Sequence, residues 1–373
     1  MGCAISALAI VLLFQQVPPD KLAEELQRAQ PLPLALMVAT VVLSLIARAA
    51  RWRVYFLPDR KVPFRPLLGT LSISYMASTF LPFRAGELVR AVFLGKRESL
   101  PLARIVGTIL LEKLFDFLAI GVMLVLLIVT TPLPAWAAAT GSSIATVILV
   151  GFGFVVVLAV WRSPTLRMVG SLERLIPFGL GERVGLTRAV AQFAAGTDSM
   201  RELRLWGPML GWTLIAWLFS IGTGWAGGRA VGLSLGLPEL TFLIVLTSTG
   251  QAVPSSPGYV GVYHYLAWLA LTTFAVEPTA ATAVAVLTHG FSYGTMVASG
   301  LLALWLGGYG VRDLMAGVKV RGDADWEIGR DGAEETGAFR ASMQSTVPVS
   351  GTHTPTLPAP PSPAPPVPPS RRA

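Results

Sequence analysis

Residues 78–90 read STFLPFRAGELVR. Pro82, Arg84, Gly86, Glu87 and Arg90 fall within nine residues of each other there, with apolar sequence on both sides. Formal charge at that density is costly in hydrocarbon and persists where it faces a protein interior, a wet cavity or a substrate path. The alternative is a polar loop between two helices, and the flanks decide between them. Arg48, Arg51, Arg53, Arg60, Lys61 and Arg65 stand upstream, and Lys96, Arg97 and Arg104 stand downstream. Basic loops mark the cytoplasmic face of a membrane. One crossing between them would put one basic cluster outside. A hairpin removes the conflict: residues 67–80 enter, Leu81, Pro82 and Phe83 break the helix, and residues 85–94 return. Two short full spans satisfy the same parity, but arms of roughly 10–14 apolar residues favour re-entry.

The rest of the chain fits a membrane setting. Of its 373 residues 53% are hydrophobic and 13% charged, with a mean hydropathy of +0.63. Soluble proteins average about 25% charged residues. A net charge of +8 would suggest nucleic acid in a soluble protein. Here the basic residues flank apolar segments, which is the positive-inside signature, so no nucleic-acid partner is expected. The single cysteine, Cys3, excludes internal disulfides and cysteine-based metal clusters. MGCAIS fits a myristoylation pattern but runs straight into apolar sequence, which reads better as the start of a first membrane helix.

The apolar segments are 4–17, 32–50, the hairpin above, 105–129, 144–161, 206–226, an interrupted pair 240–253 and 259–274, and 280–306. Pro254, Ser255, Ser256, Pro257 and Gly258 interrupt the pair. The expected fold is an all-α polytopic membrane protein with six full transmembrane helices and two broken re-entrant hairpins. Both termini would be cytoplasmic, in a cell's inner membrane. The two hairpins would enter from opposite faces, as in an inverted-repeat transporter, where interrupted segments of both halves build one central site. Residues 1–310 form the transmembrane domain on this reading. A cytoplasmic amphipathic loop at 162–205 interrupts it. Residues 311–373 are acidic and then proline-rich, too polar to bury a core, and read as a disordered tail.

The chemistry concentrates at three places. Pro82 cannot continue a helix, and the residues after it can start a new one with free amides at its positive end. Arg84 and Arg90 add fixed charge, and Glu87 lies three residues from each. A helix N-terminus with arginines is a phosphate-binding arrangement. The plainer reading is a self-neutralising Arg84–Glu87–Arg90 cluster that pins the hairpin. Glu112 and Asp116, in LLEKLFDFL, share a helix face. Asp116 lies roughly 16 Å in from Ile105, near the midplane. Intramembrane acids call for a partner, and Arg84 or Arg90 is the expected one. At the second break, Ser255 and Ser256 ahead of Pro257 and Gly258 look like helix-start capping. His264 is a candidate polar contact in the cavity. With His289 it lacks a carboxylate at ligand spacing, so no metal is expected. No GxSxG, Walker-type, HExxH or dinucleotide motif is present, so neither an enzyme nor a cofactor is expected.

The stretches occur in a telling order: Arg51-Trp52-Arg53; then Pro82, Arg84, Gly86, Glu87 and Arg90; then Glu112, Lys113 and Asp116; then Pro254, Pro257, Gly258 and Gly261. Together, over residues 5–310, they resemble the flippase-like lysylphosphatidylglycerol synthase transmembrane-region family. Tyr259 stands where that pattern has a second glycine, His264 where a glutamate is common, Thr79 for an asparagine and Lys113 for an arginine. The resemblance implies a protein that moves or binds lipids with anionic or phosphate-bearing headgroups. Thr79, Arg84, Glu87, Arg90, Glu112, Asp116, Ser255, Ser256, Gly258 and His264 would be its contacts, and Pro82, Gly86, Pro254 and Pro257 its hairpin breaks. In the best-known relatives this region translocates aminoacylated phosphatidylglycerol made by a C-terminal transferase domain, for which residues 311–373 are too short. The alternative is a non-transporting membrane partner that presents lipid-linked intermediates to a separate transferase.

Overall fold

The computed structural model describes residues 2–57, 61–81, 86–160, 196–251 and 255–307, with the backbone alone for 158–160. Pro82, Arg84 and Pro254, most of the 162–205 loop and the 311–373 tail lie outside the described residues. Every regular element among the described residues is a helix. The α-helices are α1 (Gly2–Phe14), α2 (Pro19–Gln27), α3 (Pro31–Tyr55), α4 (Phe64–Phe80), α5 (Gly86–Glu98), α6 (Leu102–Thr130), α7 (Ala135–Val160), α8 (Leu203–Ala230), α9 (Leu237–Gly250), α10 (Val262–Thr272) and α11 (Pro278–Gly307).

Five of these, α3, α6, α7, α8 and α11, are long and apolar enough to cross a membrane. Six full spans were expected. The difference lies at the start of the chain, where α1 ends at Phe14 and α2 leaves it at 85°. Pro18 and Pro19 have no N–H to carry α1 onward, and Pro19 instead takes the first position of α2. Counted as one bent span, the pair raises the total to six. A second difference concerns residues 131–143, between the apolar segments 105–129 and 144–161. The alanine-rich AWAAA at 135–139 favours helix, so α7 already begins at Ala135.

The hairpin arms are short. α4 and α5 have 17 and 13 residues, and α9 and α10 have 14 and 11. A perpendicular crossing needs about 20. The order of span, hairpin and span therefore occurs twice, as α3, α4–α5, α6 and as α8, α9–α10, α11, with α7 between them. The start of α3 lies beside the end of α8, where the Gln30 N–H donates to the Ala230 carbonyl at 2.9 Å. α3 and α8 thus run antiparallel and form the most extensive helix pair. Lipid tails give no hydrophobic drive between such helices, so small residues and cross-helix hydrogen bonds hold them. Ser44 Oγ donates to the Ala216 carbonyl at 3.2 Å, and the Thr40 and Thr223 hydroxyls meet at 2.9 Å.

Two larger clusters cap the bundle. One gathers Trp52, Tyr55, Phe56, Leu94, Ile105 and Phe115. Trp206 closes it, edge-on to Phe115 and Phe152, with its indole N–H donating to the Met200 carbonyl at 2.9 Å. The other gathers Phe242, Leu243, Ala267, Leu271 and Val284. Beside it Glu277 caps α11, accepting from the Ala280 N–H at 2.8 Å and the Thr279 hydroxyl at 2.9 Å. Burial there opposes ionisation, but donation from the Ala280 and Thr279 amides outweighs it and holds the carboxyl below its usual value.

The second break is a 3₁₀ turn, Pro257–Tyr259, followed by Gly261 at the N-cap of α10. Gly258, Tyr259 and Gly261 have φ of 69°, 58° and 91°. Glycine adopts such values freely, and they end the turn before α10 begins. The expected serine caps are therefore absent from α10. Ser256 Oγ donates to the Val260 carbonyl at 3.0 Å, and the Ser256 N–H donates to Ser6 Oγ at 2.9 Å. The Gly261 N–H is taken by His264 Nδ1 at 3.2 Å. α1 packs along this hairpin, and a side chain at Gly261 would run into the Ser6 carbonyl. The tips of the two hairpins meet: a Cβ on Gly258 would stand 3.5 Å from the Thr79 carbonyl oxygen.

Candidate functional site

Three helices bring seven formal charges together. α3 supplies Arg48 and Arg51, three residues apart on one face; α5 supplies Glu87 and Arg90; α6 supplies Glu112, Lys113 and Asp116. Asp116 stands at the centre of α6, about 21 Å from its start at 1.5 Å per residue.

Asp116 accepts from Arg51 at 2.7 Å and from Arg48 at 3.4 Å. Arg90 donates to Glu112 at 2.8 Å, and Arg51 lies 3.7 Å from the other oxygen of Glu112. Lys113 reaches back to Glu87 at 2.8 Å. Arg51, Arg90 and Glu112 are fully buried. Neutral groups complete their surroundings. Arg51 donates to Thr213 Oγ1 at 3.2 Å, and the Arg90 guanidinium sits 4.5 Å above the Trp52 ring. The Trp52 N–H is fixed on Thr108 Oγ1 at 3.0 Å. Such stacking adds a cation–π attraction and fixes the plane of the arginine.

Arg84 or Arg90 was the expected partner of the two acids: Glu112 does take Arg90, whereas the arginines of Asp116 come from α3. Within the first hairpin, Glu87 bridges to α6 through Lys113 and Arg90 does so through Glu112; Arg84, the third member of the plainer self-neutralising reading, lies outside the described residues. Arg48 and Arg51 were read as part of the basic cluster at the cytoplasmic end of the 32–50 span, not as partners of the acids. α3 extends to Tyr55, which places both inside the helix, and only Arg53 of the motif remains exposed. The signal for them was their spacing of three, which puts both on one helix face, as the spacing of four does for Glu112 and Asp116 on α6.

The cluster borders a cavity of about 250 Å³ lined by residues of α3, α4, α5, α6, α8, α9, α10 and α11. Arg48, Glu87, Arg90, Glu112, Lys113 and Asp116 line it, and Thr79 does so from the tip of the first hairpin. Arg51 stands behind this wall. Among the described residues the cluster has four cations against three carboxylates, one positive charge in excess. Buried Arg90 Nε and Arg51 Nε have no hydrogen bond among the described residues. From the second break Tyr259 reaches the cavity, whereas Ser255, Ser256, Gly258 and His264 stand outside its lining. The Gly258 carbonyl is held by His289 Nε2 at 2.7 Å, and the His264 ring packs 4.6 Å from His289. Among the described residues no group of three or more metal-ligating side chains assembles. Gly86 packs against the Ser74 carbonyl and Ser78 of α4, which closes the hairpin tightly enough to aim Glu87 and Arg90 at α6.

The chain is 26% identical over 339 residues to a protein of Haloferax volcanii named glycosyltransferase AglD, in a match covering 80% of this chain and 53% of the relative. It thus spans about half the length of that relative. No solved structure matches it. The family model described as "Lysylphosphatidylglycerol synthase TM region" matches residues 1–300. With several membrane-crossing helices and this match over most of its length, the chain is a multi-pass membrane protein that belongs to the lysylphosphatidylglycerol synthase TM region family.

Proposed function

We propose that the protein binds an anionic or phosphate-bearing lipid headgroup in the central cavity and moves the lipid across a cell's inner membrane, without catalysing a chemical reaction. The observation that carries this reading is the ion cluster with one excess positive charge on the wall of a cavity at mid-span. Charge placed there is conformationally and energetically costly and marks substrate paths. Arginine and lysine are the donors suited to phosphate oxygens. The cavity's 250 Å³ falls just below the usual range of small-molecule sites, about 300–1,000 Å³. That is room for a headgroup, with the acyl chains left in lipid. The exposed Lys61, Arg65, Lys96 and Arg97 would face the cytoplasm.

The test is transbilayer movement of a fluorescent phosphatidylglycerol in reconstituted vesicles. Arg90→Gln is expected to slow it roughly 10- to 100-fold, from the loss of one charge-assisted bond at about 1.5–3 kcal/mol. Lys113→Gln is the companion variant, because its side chain is partly exposed and the buried pairs stay intact. If both variants move lipid at the wild-type rate, the cavity is not the path. The name of the Haloferax relative favours a second reading, in which the chain presents a lipid-linked intermediate to a separate transferase. Wild-type protein that moves no lipid but co-purifies with a transferase would establish that reading instead.

A further inference from the structure

The cavity has two unlike walls. Among the described residues every formal charge on it comes from α3, α5 and α6. The facing wall, from α8 to α11 and the second break, carries no formal charge among the described residues, and its polar groups are hydroxyls, an amide and rings, among them Ser248, Gln251, Tyr259, Ser292 and Tyr293. Among the described residues the side chains of Ser248, Gln251, Tyr259 and Ser292 take part in no hydrogen bond with the protein. Tyr259 is also held at φ 58°, a region sparsely populated by bulky residues. The turn thus keeps a tyrosine on the cavity wall in a conformation that glycine would adopt more easily.

Resting on the lipid-binding reading above, we propose that the headgroup is a phosphate bearing a neutral, hydroxyl-rich ring, with the phosphate on the charged wall and the ring against the Gln251–Tyr259 wall. Three physical points select this class. First, each carboxylate of the cavity is already joined to a cation: Glu112 to Arg90, Asp116 to Arg51 and Glu87 to Lys113. A headgroup ammonium would therefore displace a cation or stay unpaired, and an unpaired buried charge is strongly disfavoured. Second, serine and tyrosine hydroxyls and a glutamine amide both donate and accept, as the hydroxyls of a polyol ring do. Third, tyrosine presents an apolar face with a polar rim, which matches the C–H face and hydroxyl edge of such a ring. An aromatic cage for a quaternary ammonium needs open ring faces, and the Tyr293 face is already stacked on His289 at 4.2 Å.

The experiment compares binding of short-chain phosphatidylinositol, phosphatidic acid, lysylphosphatidylglycerol and phosphatidylcholine to the detergent-solubilised full chain, read as protection against thermal unfolding. Phosphatidylinositol is expected to bind at least about tenfold tighter than phosphatidic acid, since a site built to bond hydroxyls discriminates against ligands lacking them. Gln251→Ala and Tyr259→Phe are each expected to shrink that ratio toward one; the ratio is read only on monodisperse variants, and two positions guard against one failing to fold. Equal binding of phosphatidylinositol and phosphatidic acid, both above phosphatidylcholine, would overturn this inference while leaving the anionic-lipid reading intact. So would tightest binding of the lysyl or choline lipid. Phosphatidic acid no better than phosphatidylcholine, with Arg90→Gln without effect on any lipid, would remove the underlying reading itself. Soluble inositol 1-phosphate binding as tightly as the lipid would overturn the lipid attachment and leave a free sugar-like phosphate as the ligand.

Discussion

Arg51→Ala lowers the stability of the folded protein by about 3–5 kcal/mol, the cost of leaving a buried ion pair with one partner. Arg51 is completely buried and is the closest partner of Asp116, at 2.7 Å, while also facing Glu112 at 3.7 Å. Without it Asp116 keeps only the longer contact to Arg48, at 3.4 Å, and Thr213 Oγ1 loses a donor. SDS-induced unfolding in mixed micelles measures the loss. Arg53→Ala is the internal control, because Arg53 lies exposed on the same helix turn and such surface changes stay within about 0.5 kcal/mol. Equal effects of the two substitutions would show that the cluster contributes nothing to stability. The double variant Arg51→Met with Asp116→Met is expected to lose less than the two single variants combined, since removing both charges leaves neither stranded.

Gly86→Ala is expected to open the first hairpin, at a cost of about 1–3 kcal/mol or more. A Cβ on Gly86 would overlap the Ser74 carbonyl and Ser78 Oγ, and would stand 2.7 Å from the Ser78 backbone nitrogen. Backbone cannot step aside as a flexible side chain can, so α5 must move away from α4. Glu87 and Arg90 then draw back from Lys113 and Glu112, and lipid movement falls together with stability. Gly290→Ala is the matched control. It lies inside α11 with nothing within 4 Å of the added atom, and glycine-to-alanine changes at unstrained positions stabilise by about 0.4–1 kcal/mol. If Gly86→Ala unfolds at the wild-type point and keeps its lipid movement, the close approach does not shape the site.

Much of this architecture can be read from the chain because hydrocarbon imposes few solutions. Long apolar runs must be helices, and prolines and glycines at 82–86 and 254–261 must be breaks. The acids at 112 and 116 announce themselves, since charge at that depth demands a partner. Which partner they take is a different matter. Arg48 and Arg51 look like the basic cytoplasmic end of their helix because the apolar run stops near residue 50, and nothing local says that α3 continues to Tyr55. Arg84 and Arg90 look like the natural partners because they stand in a break. Only packing of α3 against α6 and α8 decides it. The second break was misread for a related reason. Ser255 and Ser256 have capping chemistry, but positive φ at Gly258, Tyr259 and Gly261 moves the start of α10 to Val262, and local sequence does not reveal that shift.

The two hairpins are held by unlike bonds. The first is fastened to α6 by two charge pairs, Arg90 with Glu112 and Lys113 with Glu87. The second meets the first at the tips, where Gly258 approaches Thr79, and its own turn is anchored by neutral contacts such as His289 on the Gly258 carbonyl. No ion pair among the described residues joins α9 or α10 to the rest. Neutral hydrogen bonds contribute about 0.5–1.5 kcal/mol each, well below the cost of parting a buried ion pair. If the protein moves lipid as proposed, the second hairpin is then expected to part from its neighbours more readily than the first. Amide hydrogen exchange faster at 255–261 than at 86–94 would be the signature, and the reverse order would overturn it.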